Sequence, residues 1–220
     1  MQSQELKLDH FKIYKVSTIN ISAQVWLRGQ FDEEPDLAKV HSLTHYCTPV
    51  SKNNEPFYDE DAHLAWYSIT QQMPEPMRIV TIKNQLGTAK LILGKPFALL
   101  VPSRKQGHQF PERLDHYKVY RVLDGEPINQ GVSLKDQFEN SDAVIKWPVA
   151  FAVPVRKRHE GQDFQINNET AHLTMYRMTP RSIDVTRMSR DQFGCYPLAF
   201  IRSIALAVPS IKESWKIYDS

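Results

Sequence analysis

Self-similarity constrains this chain more than any other feature. The stretch "LDHFKIYKV" at residues 8–16 returns as "LDHYKVYRV" at residues 114–122. A His-x-x-x-Tyr pattern occurs four times, at His10/Tyr14, His63/Tyr67, His116/Tyr120 and His172/Tyr176. Each is followed by a second block, "VWLRGQF", "VTIKNQLG", "VSLKDQF" or "VTRMSRDQFG", which places Gln30, Gln85, Gln137 and Gln192 in register. A third block closes each unit: "CTPVSK", "LVPSRK", "AVPVRK" and "AVPSIK". It carries Pro49, Pro102, Pro154 and Pro209, each with a lysine three residues on. His-to-Gln spacings of 20, 22, 21 and 20 residues leave little room for coincidence. Four copies of about 53 residues are therefore stacked in one chain.

The copies alternate in kind. Copies one and three open with "LDH" and close with Pro-Val-x-Lys, whereas two and four share "AHL" and Pro-Ser-x-Lys. The linkers entering the even copies also match, "NNEPFYDEDAHL" and "NNETAHL". One repeat doubled into an A–B pair, and the pair doubled again. The expected halves are residues 1–109, with copies at 10–53 and 63–106, and residues 110–220, with copies at 116–158 and 172–213.

Within a copy the first block reads as a strand, rich in aromatic and β-branched residues. Alternation sets His and Tyr on one face and the apolar pairs Phe11/Ile13, Leu64/Trp66, Tyr117/Val119 and Leu173/Met175 on the other, which is the core face. The second block is a short strand ending in a turn-prone Asp/Asn/Gly cluster. "AKLILGKPFALLVPS" and "AVIKWPVAFAVPV" read as two strands with a break between them, about four strands per copy. The closing proline is expected at a strand end, where its missing N–H does no harm. One helix is expected, over "EEPDLAKVHSLTHY" at residues 33–46. The fold class is all-β, sandwich- or barrel-like, with pseudo-twofold symmetry between tandem A–B pairs. One unit cannot bury its apolar face alone, so neighbours share a core.

The three blocks resemble a family of poorly characterised bacterial and archaeal β repeats with the pattern "LDHFKCY", "DQFG" and "LCVPxxK". The resemblance covers all four copies and implies no enzymatic activity. It implies export, and cysteines in the first and third blocks, bonded within each repeat. Here the first position holds Ile13, Trp66, Val119 and Met175, and the third-block position holds Cys47, Leu100, Ala152 and Ala207. Apolar packing has replaced the cross-link if the two positions meet. A chain freed of cystines suits a reducing compartment. Its start, "MQSQELKLDH", lacks the pattern of a leader, so a cytoplasmic location is expected if Met1 is the native start.

Hydrophobic residues make up 41% and charged residues 24%, a globular composition, and a net charge of +2 leaves no electrostatic footprint for nucleic acid. No apolar run has transmembrane length. Eight glycines against 14 prolines disfavour Gly-rich phosphate loops, and neither a Gly-x-Ser-x-Gly elbow nor a standard metal or calcium motif occurs. No cofactor is called for, and both cysteines, Cys47 and Cys195, read as free thiols. The four His/Tyr pairs suit acid–base chemistry, but a catalytic site is needed once, so they and the four glutamines and prolines read as scaffold. "HSLTHYC" would set His41, His45 and Cys47 on one face of a strand, a weak candidate metal site. Trp26, Trp66, Trp147 and Trp215 occupy different repeat positions and form no shared sugar platform, and Trp66 belongs in the core. The basic cluster at Arg156–Arg158 reads as a solvated loop, the alternative being a local acidic partner.

The reading is a non-enzymatic β-repeat protein, a structural, assembly or binding component whose partner is a protein, either a copy of itself or another subunit. Two alternatives stand beside it. One is an enzyme, metal-dependent or hydrolytic, with a site between the halves built from the unrepeated His41, His45, His108, His159 and Cys195. The other is a carbohydrate- or peptide-binding module.

Overall fold

Eleven strands and no helix account for residues 8–218, which the computed structural model describes. The expectation of no leader, and the outermost ends of the two halves, fall on residues 1–7 and 219–220 and lie outside it. Copy one supplies β1 (His10–Gly29) and β2 (Asp36–Lys52). Copy two supplies β3 (His63–Gln71), β4 (Arg78–Asn84) and β5 (Gly87–Lys105). Copy three supplies β6 (His116–Asp124), β7 (Gln130–Lys135), β8 (Asn140–His159) and the short β9 (Gln162–Phe164). Copy four supplies β10 (His172–Asp191) and β11 (Gly194–Ile217).

Each first-block strand pairs antiparallel with its own third block and with the third block of the copy before it. The order β1–β2–β3–β5–β6–β8–β10–β11 returns to β1, where Phe11 meets Ala207, so the ladder closes into a barrel. A barrel of eight strands has an interior that side chains just fill. Phe11, Leu64, Tyr117 and Leu173 fill it together with Ile13, Trp66, Val119 and Met175. These are the residues that alternation assigned to the core. The third-block strands face them with smaller groups, among them Ala98, Ala150, Ala152, Ala205 and Ala207, so large side chains insert against small ones. The positions at which the resemblance implies cysteines are direct partners in every copy: Ile13 with Cys47, Trp66 with Leu100, Val119 with Ala152 and Met175 with Ala207. Both cysteines are free.

The second blocks leave the barrel as hairpin arms and lie over its outer surface. In copies one and four the first and second blocks are a single bent strand, with register shifts between Lys15 and Ala23 and between Arg177 and Val185. In copies two and three the chain breaks at the same place. The arms bury the polar face of the first-block strands, so that Tyr14 packs edge-on against Phe138 and Phe200. The tail of each third block then leaves the barrel and pairs with the arm two copies on: β2 with β7, β5 with β10, β8 with β1 and β11 with β4.

Three expectations are corrected here. Residues 33–46 are not helical; most of them lie in β2. Ala38 and Val40 alternate inward, and irregular register between Val40 and His45 shifts the next buried residue to Leu43. That displacement imitates helical spacing. The presumed pairs of strands around "LGKPF" and "KWPV" are single strands, β5 and β8, with register shifts at Pro96 and Pro148 where each passes from arm to barrel. The four prolines lie inside strands, not at their ends. Each follows the last residue that pairs with the next copy, so on that side no ladder needs the N–H.

Alternate copies differ at the middle of the three residues between His and Tyr. Copies one and three place a lysine there, Lys12 and Lys118, both with 0% exposure. Lys12 Nζ donates to Glu139 Oε1 at 2.5 Å, reaching from copy one to copy three. Lys118 Nζ donates to Asp32 at 2.6 and 2.8 Å, reaching from copy three to copy one, and to Glu75 at 2.8 Å. Asp32 and Glu139 hold the same repeat position, where the even copies have glycine, and the even copies have Ala65 and Thr174 in place of the lysines. Two reciprocal buried ion pairs therefore tie the odd copies together. The aspartate of "LDH" has an equally local task. Asp9 accepts from the N–H groups of Tyr58 and Asp59, and Asp115 from those of Asn167 and Asn168, which folds the linker into each even copy.

Replacing Lys118 by Met should cost about 3–5 kcal/mol in urea unfolding, because Asp32 is left buried without a cation. Lys12→Met should cost less, since Glu139 keeps Arg181 at 2.8 Å.

Candidate functional site

Neutral imidazole can donate from one ring nitrogen and accept at the other, and the recurring histidines use this at the seams between copies. His63 Nδ1–H donates to the Asp61 carbonyl at 2.9 Å, and its Nε2 accepts from Gln137 Nε2 at 3.2 Å. Lys105 donates to the oxygen of the same Gln137. His172 repeats the arrangement with the Thr170 carbonyl and Gln30. At the other two seams the match is looser. Lys157 donates to Gln192, which stands beside His116, yet Gln192 Nε2 is left without a partner. Gln85, beside His10, donates instead to Glu55, which also takes Lys52. Each glutamine thus belongs to the copy after its histidine, and the first copy serves the last.

The aromatic residue after the glutamine completes the seam. Lys105 lies over Phe138, Lys157 over Phe193 and Lys212 over Phe31. Where copy two has Leu86 instead, Lys52 is held by Glu55 at 3.0 Å. Burial pushes Lys157 down to about 7 and Lys105 and Lys212 down to about 8. Burial likewise lowers His10 and His172 to about 4 and His63 to about 3, and holds His116 well below its usual value.

In three of the four copies the residue before the glutamine makes two kinds of bond. Asp136 Oδ1 accepts from Phe138 and Glu139 N–H in its own turn, while Oδ2 accepts from Tyr14 at 2.5 Å. Asp191 accepts from Phe193 N–H and from Tyr67 at 2.7 Å. Asn84 Oδ1 caps Leu86 N–H, and its amide donates to Tyr176 at 3.0 Å. Tyr120 donates to Glu75 at 3.1 Å, copy one having Gly29 at this position. Three of the four tyrosines, Tyr14, Tyr67 and Tyr176, therefore meet the turn residue two copies on. The glutamine beside this turn residue crosses the seam instead, as Gln30 and Gln137 do to reach His172 and His63.

The unrepeated candidates are dispersed. His41 is exposed and meets Thr70, His45 is wedged beside Trp66 with Thr44 on its Nδ1, and Cys47 lies inside the barrel, where burial pushes its thiol up. Among the described residues no group of three or more His, Cys, Asp and Glu side chains is placed to hold a metal ion. His159 bonds the Gln24 carbonyl at 3.0 Å. His108 is held by Asp61 at 2.9 Å and lines a cleft of about 290 Å³ with Arg104, Arg190 and the exposed Cys195.

A second cleft, of about 410 Å³, opens on the seam of β1 and β8 and is lined by Trp26, Arg28, Glu34, Pro35, Arg156, Arg158 and Asp163. Arg156–Arg158, expected in a loop, are paired strand residues, and the central Lys157 has 0% exposure. Asp163 accepts from Arg156 Nε at 3.2 Å and Nη2 at 2.5 Å. Nothing in the repeat pattern marked this cleft, because its residues stand at positions that differ between copies.

Among the described residues no helix is long and apolar enough to cross a membrane. A family model described as a repeat of unknown function matches residues 63–209. No curated protein and no solved structure is matched.

The four seam histidines titrate below the 6.5 of an unfolded chain, so as pH falls the unfolded state takes up protons first. Their contribution is full above about pH 6.5 and is lost as pH falls towards 4, at about 1.4 kcal/mol per unit for each histidine. Melting temperature should therefore drop steeply between pH 6.5 and 5, and His63→Asn should make that slope shallower.

Proposed function

Because the chain belongs to this family of repeats of unknown function (DUF7450), we propose that it is a non-enzymatic β-repeat protein, a ring-shaped scaffold that acts as a binding component through its surface. The observation that carries this reading is where the recurring polar side chains go. His63 and His172 meet a glutamine of the next copy, and Tyr14, Tyr67 and Tyr176 meet an aspartate or asparagine two copies on, so these groups, which most invite acid–base chemistry, are engaged in holding copies together. The halves 1–109 and 110–220 are the tandem units of this scaffold, and four copies in which apolar side chains replace all but one of the family's cysteines, Cys47, are its particular version. Function then belongs to positions where the copies have diverged.

One observation favours a second reading, an enzyme with its site between the halves. His108 and Cys195 come from different halves and share a cleft, and Asp61 orients the imidazole. If this is a thiol site, Cys195 reacts with iodoacetamide much faster than an ordinary exposed cysteine, and His108→Ala removes the difference. On the scaffold reading the rate is ordinary in both proteins.

His116→Ala and His10→Ala should each lower stability by about 1–3 kcal/mol, the cost of removing one buried polar partner. Both should leave ligand binding intact. Loss of a measured activity in one of them at unchanged melting temperature would overturn the scaffold reading.

A further inference from the structure

The four seams between a third-block tail and an arm are equivalent in backbone, yet their outward side chains are not. Beside the recurring lysine, the β2–β7 seam carries Ser51, Asn53, Ser133 and Lys135, and the β4–β11 seam carries Ile211, Glu213, Thr81 and Lys83. The β5–β10 seam carries Arg104, Gln106, Met188 and Arg190. The β1–β8 seam alone combines three arginines with a tryptophan. Trp26 stands opposite Arg158 and Arg28 opposite Arg156, while the intervening Leu27 and Lys157 turn inward.

Their electrostatics are unbalanced. Arg156 is satisfied by Asp163, but among the described residues neither Arg28 nor Arg158 has an ion-pair partner. Arg158 acts on Asp163 through its charge without a direct contact, so both guanidiniums keep their forks open to an anion of matching geometry. Three guanidiniums against the carboxylates of Glu34 and Asp163 leave a single positive charge, which suits a monoanion better than a polyphosphate. Trp26, 49% exposed, offers an indole surface to a ring, and the two carboxylates can accept from hydroxyl groups. The volume falls in the range of small-ligand sites.

From this combination of a ring platform, a surplus of one positive charge and hydroxyl acceptors, we propose that the β1–β8 cleft binds a sugar acid, a uronate-bearing saccharide. Its carboxylate lies between Arg28 and Arg158, and its ring lies on Trp26. The proposal rests on the scaffold reading and supplies that scaffold's ligand.

The test is titration calorimetry at low salt with a tetrasaccharide alternating glucuronate and N-acetylglucosamine, with neutral cellotetraose and AMP as comparisons. The acidic tetrasaccharide should bind with a Kd of about 1 mM or tighter, and cellotetraose and AMP at least roughly ten-fold more weakly. Trp26→Ala and Arg158→Ala should each weaken binding by about ten-fold or more, whereas Arg190→Ala, at the equivalent seam, should not. No binding up to about 10 mM, tighter binding of AMP, or indifference to both cleft variants overturns the proposal and leaves the scaffold reading standing. Mass analysis of the saccharide after prolonged incubation separates the two: cleavage there would sink the scaffold reading even with the site confirmed.

Discussion

Closure of the ring, where Phe11 of the first copy lies opposite Ala207 of the last, is the constraint on which the other contacts depend. Every third-block strand serves two first-block strands, so no copy completes its own surroundings. The interior packs only when β11 reaches β1, because an open arc of strands would leave Phe11 and Ile13 without the alanines that receive them. That contact joins the two ends of the chain, and loop entropy makes such pairings late and slow in folding. The seams add a second reason for cooperativity, since a turn in one copy bonds to the copies one and two places before it. Removing a single arm would therefore expose polar groups in two other copies.

The A–B alternation acquires a physical cause in the same geometry. Copies opposite each other in the ring exchange side chains, so a lysine in copy one demands an acid in copy three, and the reverse. Between copies two and four neither partner is present, and glycine, alanine and threonine fill the same places. Buried charges cost more to separate than to remove together, which keeps such changes paired. The A–B alternation is thus a bonding pattern.

Much of this was legible in the sequence. The first-block alternation named the barrel interior residue by residue, since period-two patterning reads directly onto a half-buried strand. The cysteine positions of the resembling family pointed to Ile13 and Cys47 as neighbours, which they are. What could not be read were features set by distant register. The shift near Leu43 imitated a helix, and the bends at Pro96 and Pro148 looked like strand breaks. The destinations of Gln137 and Asp136 lie 74 and 122 residues away, at His63 and Tyr14, and no local pattern encodes them. The candidate site was illegible for a related reason. Arg158 and Trp26 become neighbours only because β8 and β1 share a seam, and repeat analysis discards the positions that vary.

Equivalence of the seams also bears on where the chain is allowed to begin. Contacts across the β11–β1 seam are of the same kind as those across β2–β3, β5–β6 and β8–β10, although only the latter are joined by a linker. To the folded ring, the position of the termini is an accident of numbering. A chain opened at the linker before His116 and joined from its last copy to its first would meet the same neighbours in the same order. What such a rearrangement changes is the order of emergence from the ribosome, and with it which strands must wait longest for a partner.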